Sequence, residues 1–253
     1  MGVIIAVANQ KGGVGKTTTT ANLGSGLALR GYRVLLVDMD PQANLTAAFG
    51  IERIVDGTIG DALMDRSIDP PILRVADIIG VEIDIIPADL KLASIETSLV
   101  SKIARDSRLR DQLSKVVSDY DFILIDTPPS LGLLTVNALV GADWVIIPTE
   151  ARFFSIQGLE MLDESISEVL YLNPKLKILG VVLSKFDKRL REETSVSRFL
   201  REKWGPTVFE TPVPVNSKIL EASSAGVSVY AYKGSQKATG VYDALVEEVV
   251  ARA

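Results

Sequence analysis

A glycine-rich stretch near the N-terminus, VANQKGGVGKTTTTANL (residues 7–23), has the residue types and spacing to bind phosphate. Its glycines allow backbone angles and close approaches that a Cβ would forbid. Their N–H groups, with a helix N-terminus behind them, can surround phosphate oxygens. Lys16 can then bridge the β- and γ-phosphates of a nucleotide, and the Thr17 hydroxyl can ligate Mg²⁺. Because the stretch lies between an apolar run and a helical one, it predicts a phosphate loop.

A second lysine, Lys11, precedes Lys16 by five residues. The general pattern G-x-x-x-x-G-K-[ST] is not met in full, because Gln10 stands where its first glycine belongs. Lys11 leaves the loop before the phosphates are enclosed, so we do not expect its side chain to fold back onto its own nucleotide. The residues alone leave two alternatives. Lys11 is a solvated surface lysine, or a second subunit inserts its own Lys11 at the γ-phosphate and accelerates the reaction by about 10³–10⁵, as an arginine finger does.

Three aspartates follow apolar runs and complete a predicted metal and water site. Asp38 and Asp40 lie in LLVDMDPQAN, and Asp126 ends FILID. Because ligands bind at the carboxyl ends of parallel strands, we expect these side chains beside the phosphate loop. Asp126 is predicted to hold Mg²⁺ through a water, Asp38 is a further metal candidate, and Asp40 is the candidate for orienting the attacking water. Each aspartate taken alone also has a structural alternative, as a helix cap or a turn residue.

The composition excludes several kinds of chemistry. The chain of 253 residues has no cysteine and no histidine. Disulfides, Cys/His zinc sites, iron–sulfur clusters, thiol nucleophiles and histidine acid–base catalysis are therefore excluded. No apolar run reaches the roughly 18–20 residues that span a bilayer, and the first residues lack the features of a signal peptide. We expect a cytoplasmic protein that does not bind membranes.

Charge is distributed unevenly along the chain. The net charge is −5, yet residues 185–237 contain ten Lys/Arg against six Asp/Glu. A basic surface for a polyanion and a solvated surface with chance asymmetry both account for this excess.

Short β-branched runs alternate with longer helical patterns, which predicts an α/β fold. Several runs are apolar throughout, as strands covered on both faces of a parallel sheet are. We predict one domain, residues 1–253, built on a single doubly wound, mostly parallel β-sheet flanked by helices. Helices are expected over about 16–30 and over 155–172. The predicted strands are 3–8, 33–38, 83–87, 122–126, 144–148, 178–184 and 207–210.

Taken together and in this order, KGGVGKTT, VDMDPQAN and IDTPPS resemble the deviant Walker A ATPases of the ParA/MinD group, especially the short ParA proteins of the Soj type. The resemblance implies a P-loop NTPase fold with ATP and Mg²⁺ as cofactors, and a homodimer that sandwiches ATP. It assigns Lys11 the cross-subunit role and implies catalytic roles for Lys16 and Asp40. It also implies Mg²⁺ ligation by Thr17 and a Walker B role for Asp126. The implied phosphate contacts are Gly12, Gly13, Val14, Gly15, Lys16, Thr17 and Thr18, and Lys11 is implied to bind nucleotide across the subunit interface.

The resemblance also implies partners. The ATP-bound dimer of such proteins binds double-stranded DNA without sequence preference, which makes them nucleoid-associated, and a ParB-type centromere-binding protein stimulates hydrolysis and release. The family often reads P-R-N-x-R-[LF]-x-E-A where this chain has PVNSKILEA (214–222). Lys218 falls where a DNA-contacting arginine is common, while Val215 replaces the first arginine. Candidate DNA contacts are Lys188, Arg189, Arg191 and Lys218, and candidate adenine contacts are Pro212, Pro214 and Asn216.

The group also includes two other functions. A MinD-like membrane regulator would end in a basic amphipathic helix. The tail VYDALVEEVVARA instead places Asp243, Glu247 and Glu248 opposite an apolar side, so we expect a helix that packs on the core. A ParA-like ATPase that positions a protein cargo would share every residue above, and the sequence leaves that alternative open.

The basic stretch around residues 188–191 also has an alternative role, as a charged loop with Glu192 and Glu193 as local partners.

Overall fold

A seven-stranded β-sheet forms the centre of the computed structural model, which describes residues 2–76 and 82–253. The strand order is β3-β4-β2-β5-β1-β6-β7, in which β3 and β4 are antiparallel and the other neighbours are parallel. The strands are β1 (Val3–Val7), β2 (Val34–Asp38), β3 (Leu73–Ala76), β4 (Glu82–Ile86), β5 (Phe122–Asp126), β6 (Trp144–Glu150) and β7 (Lys177–Ser184).

Helices cover both faces of this sheet. The central strands β2 and β5 are buried at every position, because each face packs against its own apolar cluster. Ile123 and Ile125 of β5 join one cluster, and Phe122 and Leu124 join the other. The helices are α1 (Lys16–Leu29), α2 (Asn44–Ala47), α3 (Ile59–Met64), α4 (Leu92–Leu99), α5 (Arg108–Leu113), α6 (Leu133–Gly141), α7 (Phe153–Val169), α8 (Arg191–Trp204), α9 (Ser217–Ser224) and α10 (Gln236–Arg252).

The predicted elements are largely confirmed, with two corrections at the edges of the sheet. Six predicted strands and both predicted helices are present within three residues of their expected ends. The predicted strand at 207–210 is wrong, because Val208 forms only an isolated bridge to Val181. The amides of Glu210 and Thr211 donate to the Glu248 carboxylate of α10, at 2.9 and 2.8 Å, and not to β7. The edge strand β3 was not predicted.

The C-terminal helix α10 packs on the core, as its sequence pattern predicts. Tyr242, Leu245, Val246 and Val249 are buried in the cluster that also contains residues of α1 and α9. Two of its acidic side chains bind within the molecule: Glu248 accepts the amides of Glu210 and Thr211, and Asp243 forms an ion pair with Arg30. None of the helices in the described part of the chain is long and apolar enough to cross a membrane.

Candidate nucleotide-binding site

The glycine-rich loop lies between β1 and α1, at the carboxyl edge of the sheet. Gly13 and Gly15 have φ angles of 74° and 88°, in the left-handed region that glycine adopts at little cost. The side chain of Val14 is fully buried and anchors the loop between them. Because α1 begins at Lys16, its first N–H groups, which lack partners within the helix, face the loop. The loop therefore has the form of an anion-binding nest.

Lys16 lies beneath the loop, next to two carboxylates. Its side chain is nearly buried, and its Nζ donates to the carbonyl oxygen of Lys11 at 3.3 Å. Burial lowers the pKa of Lys16, and the negative charges of Asp126 and Asp40 oppose that effect. The ammonium group is thus held where it can compensate carboxylates and, when a nucleotide is bound, phosphate oxygens.

Thr17 and Asp126 form the pair that was predicted to hold a metal. The Thr17 hydroxyl donates to Asp126 Oδ2 at 2.6 Å. Asp126 is fully buried, and its Oδ1 has no hydrogen-bond partner among the described residues. Burial, together with the charge of Asp38, raises the pKa of Asp126 well above its ordinary value. An orphaned carboxylate oxygen beside a hydroxyl is a donor set that suits Mg²⁺, a cation that binds through few protein oxygens plus phosphates and waters.

Asp38 lies directly opposite Asp126 on the neighbouring strand, but its oxygens are engaged differently. Oδ1 accepts the Asp40 N–H at 3.1 Å, and Oδ2 accepts both the N–H and the hydroxyl of Thr46, at 2.8 and 2.7 Å. Burial raises the pKa of Asp38 to about 6. Both oxygens therefore bind donors of the loop that follows β2. This geometry favours a role in shaping that loop over ligation of a metal.

Asp40 is nearly buried and belongs to the same charged cluster. Its Oδ1 accepts the Gln42 N–H at 2.9 Å, which fixes the orientation of the carboxylate. The structure thus brings together Lys16, Asp38, Asp40 and Asp126, which lie on three separate segments of the chain. Within the described residues no cluster of three or more acidic side chains has the geometry of a metal site. Bound phosphates and water would have to complete the coordination of Mg²⁺.

Lys11 points out of the loop and forms an ion pair on the surface. Its Nζ lies 2.9 Å from Oε2 of Glu150, the last residue of β6, and its side chain is 44% exposed. Lys185 and Arg152 approach the same carboxylate, at 3.7 and 3.6 Å. Burial raises the pKa of Glu150, but the hydrogen bond and charge of Lys11, aided by Lys185 and Arg152, outweigh it and leave that pKa below its ordinary value. In this arrangement the Lys11 side chain does not fold onto its own loop.

A cavity of about 210 Å³ opens beside the loop. It is lined by Gly15 of the loop, Thr18 of α1 and Tyr242 of α10, together with Pro214 and Asn216. It therefore begins where the phosphate nest ends, as a pocket for a base would. Two of the three predicted adenine contacts line this cavity. The third, Pro212, lines a neighbouring groove of about 580 Å³ with Leu190 and Val241.

The two basic segments predicted to contact DNA are neighbours in the structure. The Phe186 N–H donates to the carbonyl of Val213 at 3.0 Å, so the loop before α8 runs beside the segment that leads into α9. The Asn216 side chain caps α9 by accepting the N–H of Lys218. We call the surface formed by Lys188, Arg189, Arg191 and Lys218 the basic surface.

The cations of the basic surface differ in their partners. Arg189 forms a two-pronged ion pair with Asp187, at 2.9 and 2.6 Å. The Lys218 Nζ lies 2.6 Å from Glu221 and over the ring of Tyr232. Lys188 and Arg191 are exposed, and neither forms an ion pair with any residue in the described ranges. The two unpaired cations are thus the ones most free to meet an external anion.

Sequence reasoning missed several residues of this site. One of them is Glu150, the partner of Lys11. It follows an apolar run, and its position at the carboxyl end of a strand could have indicated that it lies near the phosphate loop. Ser184 ends β7 in the same way and lines the cavity with a buried hydroxyl that has no partner among the described residues. Thr46 and Tyr242 had no signal of their own, because their contacts come from segments far away in the chain.

The fold and the site define a nucleotide-binding ATPase of the P-loop class. A family model described as an AAA domain matches residues 2–178. The chain is 42% identical over 254 residues to the sporulation initiation inhibitor protein Soj of Bacillus subtilis, covering 99% of each chain. It is 41% identical to the chromosome partitioning protein ParA of Caulobacter vibrioides, covering 98% of this chain and 94% of that one. The chain belongs to the ParA/Soj family of partitioning ATPases.

A solved structure extends the comparison to bound ligands. The cobyrinic acid a,c-diamide synthase of Mycobacterium smegmatis was solved with an ATP analogue and magnesium. It superimposes with a TM-score of 0.84 at 32% identity, covering 98% of this chain and 93% of that one. The same fold therefore binds an adenine nucleotide and magnesium in a related protein.

Proposed function

We propose that this protein is an ATP-hydrolysing switch for DNA segregation. Its ATP-bound sandwich dimer binds double-stranded DNA without sequence preference, and hydrolysis stimulated by a ParB-type partner releases it. The observation that carries the proposal is the second loop lysine, Lys11, which points away from its own phosphate nest and toward the surface. In this position the charge of Lys11 is directed away from the phosphates of its own loop, and it would be available to a nucleotide that a facing copy holds.

The residues that we assign to binding of Mg-ATP already lie close together at the phosphate loop. The N–H groups of residues 12–18 surround the phosphates, and Lys16 neutralises the β- and γ-oxygens. Thr17, together with Asp126 through a water, would hold Mg²⁺, which would withdraw charge from the same oxygens. Asp40, oriented by the Gln42 N–H, positions the attacking water. Pro214 and Asn216 border the base.

The cross-subunit step turns hydrolysis into a switch. In the dimer, the partner's Lys11 leaves its ion pair with Glu150 and reaches the γ-phosphate. Its charge is then present only when two nucleotide-loaded copies face each other, so turnover depends on dimerisation. An added cation at this point stabilises charge that develops in the transition state.

The basic surface is assigned to DNA. Phosphate contacts through lysine and arginine carry no sequence information, so binding there is non-specific and depends strongly on salt. The basic surface lies beside Pro214, which also lines the cavity of about 210 Å³ next to the phosphate loop. A nucleotide bound in that cavity can therefore influence the affinity of the basic surface for DNA. Binding of this kind places the protein on the nucleoid. The resemblance to chromosome partitioning ParA favours DNA over a protein cargo.

Asp40→Ala is the variant that tests the switch. Because the site keeps its phosphate loop and loses the water-positioning carboxylate, the variant is expected to bind ATP, accumulate as a dimer and bind DNA persistently. The measurement is binding to a random-sequence duplex with ATP, with ADP and without nucleotide, across a salt series. Binding in ATP alone, with an affinity that falls steeply as salt rises, supports the proposal.

Two outcomes of this experiment would count against parts of the proposal. A variant that fails to hydrolyse ATP and also fails to dimerise would contradict the switch. If the variant dimerises but binds no DNA in any nucleotide state, the role as an ATP-dependent switch would stand and the role in DNA segregation would be excluded. The wild-type protein with a non-hydrolysable ATP analogue is the control for the ATP state.

The basic surface makes a separate prediction. The double variant Lys188→Ala/Arg191→Ala is expected to weaken binding to all duplex sequences alike. It should also lower the slope of log affinity against log salt by about one for each phosphate that the protein no longer neutralises. Lys102→Ala, which removes an exposed lysine after α4, is the matched control. Equal salt slopes for the double variant and the control would exclude Lys188 and Arg191 of the basic surface as contacts to DNA phosphates.

A further inference from the structure

Thr46 connects the loop that carries Asp40 to a separate strand. Its side chain is buried in the short helix α2. Its hydroxyl donates to Asp38 Oδ2 at 2.7 Å and accepts the Ala88 N–H at 3.0 Å. Ala88 follows β4, which lies next to β2 in the sheet. One hydroxyl thus joins the ends of two strands and the first helix after Asp40.

Asp38 is the centre of this arrangement. Its carboxylate accepts three hydrogen bonds: from the Asp40 N–H, and from the N–H and the hydroxyl of Thr46. Asp38 is itself fully buried. A buried carboxylate binds donors strongly because desolvation leaves it no water to replace them. We call Asp38, Thr46 and the Ala88 N–H the Thr46 clamp.

The clamp encloses the segment whose position matters for hydrolysis. The Asp40 N–H is bonded to Asp38 at one end and Thr46 is bonded to it at the other, so residues 40–46, which we call the Asp40 loop, are closed on Asp38. Inside it, Ala43 adopts a φ of 52°, which an alanine adopts only at a cost. The surrounding hydrogen bonds must therefore hold the loop in a shape that it would not keep alone.

We propose that Thr46 is a positioning residue for ATP hydrolysis: through Asp38 it fixes the Asp40 loop to the end of β4. This inference rests on the proposed function, because it needs Asp40 to act on the attacking water. Thr46 itself is buried and is not among the residues that line the cavity beside the phosphate loop. Its hydroxyl is the requirement, since a side chain of the same shape without one leaves the buried Ala88 N–H unpaired and removes one donor from Asp38.

Thr46→Val tests the clamp, because it keeps the volume and removes the hydroxyl. We expect ATP affinity to stay near that of the wild type, since the phosphate loop is untouched. We expect kcat to fall by ~10-fold to 100-fold, the size of effect that a misplacement of about 1 Å can have. Thr46→Ser keeps the hydroxyl and should restore most of kcat. This separation of kcat from binding, with rescue by serine, is not expected of a purely structural residue.

Thr58→Val is the matched control. Thr58 is also buried and its hydroxyl also donates to an aspartate, Asp61, but it belongs to the capping box of α3, and among the described residues none of its hydrogen bonds reaches residues 40–46. Its kcat should match that of the wild type. Amide hydrogen exchange gives a second readout: protection at Ala88 and Asp40 should decrease in Thr46→Val and recover in Thr46→Ser.

Several outcomes would overturn the inference. A wild-type kcat in Thr46→Val, or a serine variant as impaired as the valine one, would exclude the clamp. If Thr46→Val does not fold, the comparison moves to Thr46→Ala against Thr46→Ser, and equal kcat values for that pair would exclude it. Normal turnover in Asp40→Ala would instead contradict the proposed function, so the two failures are distinguishable.

Discussion

Replacing Lys11 with alanine is expected to leave ATP binding largely intact and to lower the hydrolysis rate by about 10³–10⁵-fold, the contribution of a cation inserted in trans at a phosphoryl group. Binding should survive because the ammonium of Lys11 lies on Glu150 and not on its own loop. Hydrolysis should fail because the γ-phosphate of the facing subunit loses its added charge. The measurements are nucleotide affinity by titration and single-turnover hydrolysis of labelled ATP.

A mixing experiment separates a cross-subunit role from a role within one chain. Lys11→Ala keeps Asp40, and Asp40→Ala keeps Lys11, so a mixed dimer contains one site with both groups. Mixing the two inactive variants should therefore produce activity that neither has alone. Glu150→Gln is the control, since it removes the ion pair and leaves Lys11 in place. Normal turnover in Lys11→Ala, or no activity in the mixture, would exclude the cross-subunit role.

Replacing Lys16 with alanine is expected to abolish nucleotide-dependent behaviour altogether. Its ammonium is the cation that balances Asp126 and Asp40 beneath the loop. Without it those carboxylates repel the triphosphate, and the hydrogen bonds to phosphate are lost. Because hydrogen bonds to charged groups contribute roughly 1.5–3 kcal/mol each, ATP affinity should fall by about 10²-fold or more. Titration with ATP and a sizing measurement of the dimer check this.

The comparison with Lys11→Ala gives this second prediction its control. Both variants remove one lysine from the same loop, but only Lys16 is buried against carboxylates. The Lys16 variant should lose binding and the Lys11 variant should keep it. A Lys16→Ala protein that is folded, by circular dichroism, and still hydrolyses ATP would contradict the site as assigned.

The central strands and the phosphate loop could be predicted from the sequence, because local patterns are enough to specify them. The run FILID is apolar at every position but its last, and such a run predicts a strand that helices cover on both faces of the sheet. Gly13 and Gly15 mark the loop because their positive φ angles suit glycine. The order of these elements also placed Asp40 and Asp126 at one edge of the sheet.

The edges of the sheet could not be predicted in the same way. Residues 207–210 have the β-branched and aromatic composition of a strand, but the Glu248 carboxylate takes the amides of Glu210 and Thr211. Edge pairing depends on which donors remain free after the helices have packed. That competition is decided by residues more than thirty positions away, and no local pattern records it.

The sequence by itself determined the fold class, the phosphate loop and the identity of the charged residues around it. The tertiary structure alone decided what each of those residues binds. It gave Asp38 three donors and left Asp126 Oδ1 without one among the described residues, although both aspartates end similar strands. It paired Lys11 with Glu150, 139 residues away. Such partners are set by the packing of distant segments, which a short-range pattern of residue types does not contain.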